Sequence, residues 1–139
     1  MKKLFLLPLV IFTSVLLCGC SKDEEKNIVG EWSLTRIVST ETALDGSWEY
    51  HSDEVVTTGS SLDGYIFRAD GTGIDISEAG YITDFTYVVD GNILRTKSIP
   101  WEYIHEYIIE KLTAEELILY YTKYDRDYIL EEHYYYQKI

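Results

Sequence analysis

From residue 28 onward, apolar and polar side chains alternate in short runs broken by turn residues. No long stretch carries the helical spacing of an amphipathic helix. The run 31–38, Glu31-Trp32-Ser33-Leu34-Thr35-Arg36-Ile37-Val38, opens the series, and a weaker one covers 48–56. Runs 65–68 and 73–76 flank Ala69-Asp70-Gly71-Thr72, a hairpin signature because Asp-Gly accepts the positive φ that tight turns need. Phe85, Tyr87 and Val89 alternate with Thr86 and Val88, and Asp90-Gly91-Asn92 turns the chain into 93–96. The stretch 101–112 reads two ways. As a helix it would align Ile104, Ile108 and Leu112 behind Pro100. Its β-branched and aromatic content favours a strand, with Trp101, Tyr103, His105, Tyr107 and Ile109 on one face. Runs 117–124 and 128–137 form the last hairpin, closed at Asp125-Arg126-Asp127. The pattern predicts an all-β, antiparallel meander of about eight or nine strands. So many strands in one open sheet would expose long edges, and closure into a small barrel removes them.

The first nineteen residues follow a different rule. Met1-Lys2-Lys3 is a positive n-region, and the apolar run 4–17 is too short for a permanent membrane helix, which takes about 20 residues. A secretory signal fits. Leu17-Cys18-Gly19-Cys20 resembles a bacterial lipobox, in which the Cys thiol receives diacylglycerol before cleavage and acyl groups such as palmitate anchor the product. The expected organisation is a lipoprotein signal peptide over 1–19, a lipidated Cys20 with an acidic tether over 20–27, and one β-barrel domain over 28–139. In the tether, Lys22-Asp23-Glu24-Glu25 resembles the surface-export signal of Bacteroidota lipoproteins, and Ser21 rather than Asp after the Cys fits outer-membrane sorting. The expected location is therefore the outer membrane, lipid-anchored and displayed on the cell surface.

Charge narrows the partners. The 139 residues carry 24 acids against 12 bases, and the chain without Lys2 and Lys3 stands at −14. Such a body lacks the basic footprint that a nucleic-acid binder needs. It also cannot be held to anionic lipid by charge, which leaves the acyl chains as the anchor. With Cys18 removed and Cys20 acylated, no thiol remains for a disulfide, a thiolate metal site or a Cys nucleophile.

Gly30-Glu31-Trp32 at the head of a meander resembles the Gly-x-Trp opening of lipocalins, where the Trp plugs the closed end of an eight-stranded barrel. The succeeding motifs resemble, in order, small lipocalin-like lipoproteins of Bacteroidota. They are Phe67 before Asp70-Gly71-Thr72-Gly73, then Tyr87-Val88-Val89-Asp90-Gly91-Asn92, then the stretch 109–119 and a Tyr-rich final strand. The resemblance covers 28–139 and implies a barrel that holds a small apolar or amphipathic ligand, with Trp32, Tyr65, Phe67, Phe85 and Tyr87 lining it. Lipocalins place an Arg late in the chain to stack on the opening Trp; the final strand here offers Lys138.

Catalytic signatures are weak. His51-Ser52-Asp53 holds the residue types of a triad, but adjacency is not triad geometry. Glu131 and His133 share a strand face, which suits a surface cross-strand pair better than a cation site. The acidic clusters lack the alternating oxygen ligands of a calcium loop, and no glycine-rich phosphate cradle precedes a helix. The expectation is a binding protein without catalytic residues, metal or cofactor. Thirteen Tyr against four Phe support a second reading, in which exposed Tyr and acidic residues meet a glycan or protein and the barrel interior is filled.

Overall fold

The computed structural model describes residues 27–56, 63–77 and 80–139. The expected signal peptide over 1–19, Cys20 and the expected tether up to residue 26 lie outside the described residues. Among the described residues the chain forms nine β-strands: β1 Gly30–Ala43, β2 Glu49–Val55, β3 Gly64–Phe67, β4 Thr72–Ile76, β5 Ile82–Asp90, β6 Ile93–Ile99, β7 Ile104–Leu112, β8 Glu116–Tyr124 and β9 Tyr128–Lys138.

All neighbours are antiparallel, and β1 also pairs with β9, so β1-β3-β4-β5-β6-β7-β8-β9 closes into an eight-stranded barrel. The ninth strand, β2, is outside the ring. Its place follows from the length of β1. The first part of one β1 edge pairs with β3, from Gly30↔Phe67 to Ser33↔Gly64, and the rest of that edge pairs with β2, from Arg36↔Val55 to Thr42↔Glu49. The hand-over is hydrogen-bonded: Leu34 N donates to Asp63 O at 2.8 Å, and Val56 N donates to Thr35 O at 2.9 Å. A simple meander is thus interrupted once.

Two irregularities set which side chains face inward. Between Leu34 and Arg36 the β1–β9 register shifts, so Thr35 is an extra residue. The inward set then runs Trp32, Leu34, Ile37 rather than by twos. A second shift between Ile109 and Lys111 brings Leu112 into the core. Such bulges increase strand twist and bend, as barrel closure requires. The stretch 101–112 is a strand only from Ile104. Trp101, Glu102 and Tyr103 belong to the β6–β7 turn, where Glu102 has φ 58° and Ser98 Oγ accepts from Tyr103 N at 3.1 Å.

The core fills the lower half of the barrel. Trp32, Phe67, Leu94, Leu117 and Leu119 are fully buried, with Ile28, Phe85, Leu112, Tyr107 and Tyr136 around them. Phe67, Phe85 and Tyr87 meet edge to face, with centroids 5.0–6.3 Å apart. Gly73 makes this possible. A Cβ there would lie 2.3 Å from the Phe85 ring and 2.6 Å from Ile66 O, so no side chain fits.

Candidate functional site

The site begins at the closed end, because that end fixes which end is open. The segment before β1 crosses the bottom of the barrel, and Trp32 is 1% exposed there. Its indole Nε1 donates to Ile28 O at 2.7 Å, tying that segment to the plug. Lys138, near the end of β9, completes the closure. Its Nζ lies 4.9 Å from the Trp32 ring centroid and donates to Val29 O at 2.7 Å. Gly30 leaves room for this side chain: a Cβ there would stand 2.5 Å from Lys138 Cε. The ammonium therefore occupies the stacking position the resemblance assigns to an Arg, and Gly30-x-Trp32 has a mechanical reason.

The opposite end carries a cavity of about 230 Å³, between β3, β4, β5, β6 and β7. Tyr65, Phe85 and Tyr107 form its floor. Asp75, Thr83, Thr96, Ser98 and His105 form polar walls, and Trp101 and Tyr103 from the β6–β7 turn stand at its rim. Period-two alternation places these walls: 75 on β4, 83 and 85 on β5, 96 and 98 on β6, and 105 and 107 on β7 all point inward. Trp101 and Tyr103 are 70% and 66% exposed, large apolar rings turned to solvent beside an opening.

Electrostatics divide floor from wall. Burial pushes the Tyr65 and Tyr107 phenols above their ordinary pKa. Their hydroxyls lie 3.4 Å apart, so both stay neutral and can share a proton donor or acceptor with a ligand. Burial also raises the Asp75 carboxyl, with Asp63 adding to the shift and His105 opposing it. Among the described residues no Lys or Arg lines this cavity.

Of the five residues expected to line the interior, the structure brings Tyr65 and Phe85 to the cavity. Trp32 and Phe67 are packed in the core beneath it, and Tyr87 turns aside to donate its hydroxyl to Arg68 O at 2.6 Å. Sequence reasoning missed Asp75, Thr83, Thr96, Ser98, His105 and the rim pair as site residues. The shared inward phase of Tyr103, His105 and Tyr107 was visible; which partner strands faced it was not.

The other sites considered from sequence are dispersed. His51 Nδ1 lies 3.2 Å from Thr40 Oγ1, and Asp53 pairs with Arg36 through two hydrogen bonds, both on the outer face. Ser52 points the other way. His133 packs against Tyr120 with ring centroids 4.9 Å apart and tilted planes, and lies 3.3 Å from Glu110, while Glu131 accepts from the Tyr120 hydroxyl at 2.7 Å. Among the described residues no group of three or more His, Cys, Asp or Glu converges to hold a metal ion.

With the barrel, the Trp32 plug and the open far end established, the architecture can be stated. The fold is lipocalin-like. Solved structures that resemble it include a lipocalin-like protein from Bacteroides uniformis ATCC 8492, which is 18% identical with a TM-score of 0.48, covering 80% of this chain and 97% of that one. Another is an uncharacterized protein from Bacteroides eggerthii DSM 20697, 16% identical with a TM-score of 0.46, covering 81% of this chain and 100% of that one. No protein-family model matches the sequence, and no curated protein matches it.

Proposed function

We propose that this chain is a binding module, not an enzyme, anchored by lipid at Cys20 to the outer membrane and displayed on the cell surface. It holds a small amphipathic molecule in the open end of its barrel. The observation that carries this reading is the cavity of about 230 Å³, with an aromatic floor, hydroxyl-bearing walls and an exposed aromatic rim. Its volume falls below the roughly 300–1,000 Å³ usual for ligand pockets, which suits a small ring-bearing ligand better than a long acyl chain. The aromatic faces would stack on the ligand body while Thr83, Thr96 and Ser98 hydrogen-bond to its polar end.

The first described residues and the cavity lie at opposite ends of the barrel. The N-terminal segment enters beside Trp32, and the cavity opens beside the β6–β7 turn. A seven-residue tether reaches at most about 25 Å. A lipid on Cys20 would leave the site on the end distal to the anchor.

Two measurements test the reading. Mass spectrometry of small molecules extracted from the purified protein should recover a ligand of that size whose retention drops in Tyr65→Ala or Trp101→Ala. Recovery unaffected by both variants would refute the site. Metabolic labelling with an alkyne fatty acid should label the chain and fail in Cys20→Ser; labelling that persists in that variant would refute the anchor.

A further inference from the structure

The cavity has a charge character that amphipathic binding alone does not require. We infer that its ligand is a small organic cation, an amine or ammonium group on an apolar or aromatic body, held by Asp75. This rests on the reading of the cavity as a ligand site and names the class of molecule it takes.

Three independent features converge. First, among the described residues Asp75 is the one carboxylate lining the cavity, and no Lys or Arg lines it. A half-buried carboxylate facing a pocket without Lys or Arg, with His105 as its one basic neighbour there, is stabilised by a cationic ligand. By contrast, the inward Glu132 already accepts a hydrogen bond from the Tyr134 hydroxyl. Second, the remaining surroundings favour a cation. Tyr65, Tyr107, Trp101 and Tyr103 present aromatic rings around the same opening, and such rings attract an ammonium through their quadrupoles. Third, the whole chain repels anions. Its formal charge of −12 raises the local concentration of cations and lowers that of carboxylates and phosphates.

The groups facing Asp75 set the pH behaviour. His105 on β7 and Asp63 before β3 act on it by charge, and the phenols of Tyr65, Tyr107 and Tyr136 lie near enough to feel it. Ion pairing needs the ionised carboxylate. Because burial raises the Asp75 pKa, binding is lost on acidification at a higher pH than an ordinary surface carboxylate would give.

The experiment is calorimetric titration of the full mature chain in detergent near neutral pH with phenethylamine, phenethyl alcohol and phenylacetate. These three probes share a body and differ in charge. Phenethylamine should bind at least about tenfold more tightly than the alcohol or the acid. Asp75→Asn should bring it to the level of the alcohol. Trp101→Ala combined with Tyr103→Ala, at solvent-exposed positions that leave the core intact, should weaken the amine several-fold. Equal binding of all three probes, preference for phenylacetate, or an undiminished affinity in folded Asp75→Asn each overturns the cation inference. If the alcohol binds as well as the amine and the rim variant weakens both, the small-ligand reading stands while the cation inference fails. If none of the probes binds, the cation inference fails, and the small-ligand reading then rests on the extraction experiment.

Discussion

Three residues shape how this barrel closes and packs, and two of them, Lys138 and Gly73, can be tested alone. Lys138 sits where its ammonium both covers the Trp32 ring and donates to Val29 O. Removing it in Lys138→Ala leaves that carbonyl unpaired and the ring uncovered. The expected loss is about 1–3 kcal/mol, read as a lower urea midpoint at unchanged slope. Lys138→Arg should restore most of it, because a guanidinium can stack on the indole and still donate. A midpoint equally low in both variants would show that the contact contributes through lysine packing alone. Gly73 is the second. With Phe85 and the Ile66 carbonyl inside the space a methyl needs, Gly73→Ala forces either the ring or the β3 backbone to move. About 1–3 kcal/mol of destabilisation is expected from such overpacking. An unchanged midpoint would mean that the Phe85 ring moves aside at little cost. Trp32, the third, was legible in sequence as a plug, and its burial agrees; the reason for the glycine two residues before it became visible only with Lys138 lying across that position.

At the scale of strands, β2 differs from the other eight. It is bonded to β1 along one edge only, and five of its seven residues besides Tyr50 are exposed, Ser52 being the one partly covered. Strands β1, β8 and β9 are paired on both sides for much of their length and carry Leu117 and Leu119 into the core. Native-state amide exchange should therefore split: amides of β2 exchange through local opening, while those of β8 near Leu117 and Leu119 wait for global unfolding. If β2 is protected as strongly as β8, it is an integral barrel element and this division is wrong. The same contrast explains what the sequence could and could not reveal. Turn chemistry is local, so Asp70-Gly71 and Asp90-Gly91 marked their hairpins correctly, and the 128–137 run was found nearly to the residue. Bulges are not local. Thr35 and Glu110 look like ordinary strand residues, and only the partner strands reveal each as the extra one. Register in the last hairpin is no more local. Register sets Tyr134 opposite Leu119, Tyr135 opposite Ile118 and Tyr136 opposite Leu117, so the rings interleave with aliphatic side chains. The site suffered most, because it draws residues from five strands whose mutual phase no single run encodes.

For the molecule as a whole, the tyrosines tie stability to pH. Burial raises the phenol pKa of Tyr65, Tyr107, Tyr134 and Tyr136, with the hydrogen bond to Glu132 adding to the effect at Tyr134. In the unfolded chain each returns to the ordinary value near 10. A phenol whose folded pKa is raised binds its proton more tightly when folded. Its contribution is fully present below the unfolded value and is lost as pH rises from there toward the folded value. The window is therefore alkaline, above about pH 10, and stability falls through it with four groups acting in the same direction. The net negative charge works the same way, since every new phenolate adds to a body already at −12. A spectrophotometric titration of the 13 tyrosines should consequently show a late, cooperative phase in which the buried phenols ionise together with the loss of β-sheet circular dichroism. Tyr65→Phe and Tyr134→Phe should shift that phase to higher pH, because each removes one group that drives opening. Ionisation of all tyrosines in one broad phase, with the circular dichroism intact, would mean that water reaches the interior of the barrel. The floor of the cavity would then be wet, and Asp75 would lose the desolvation that makes a cationic ligand its complement.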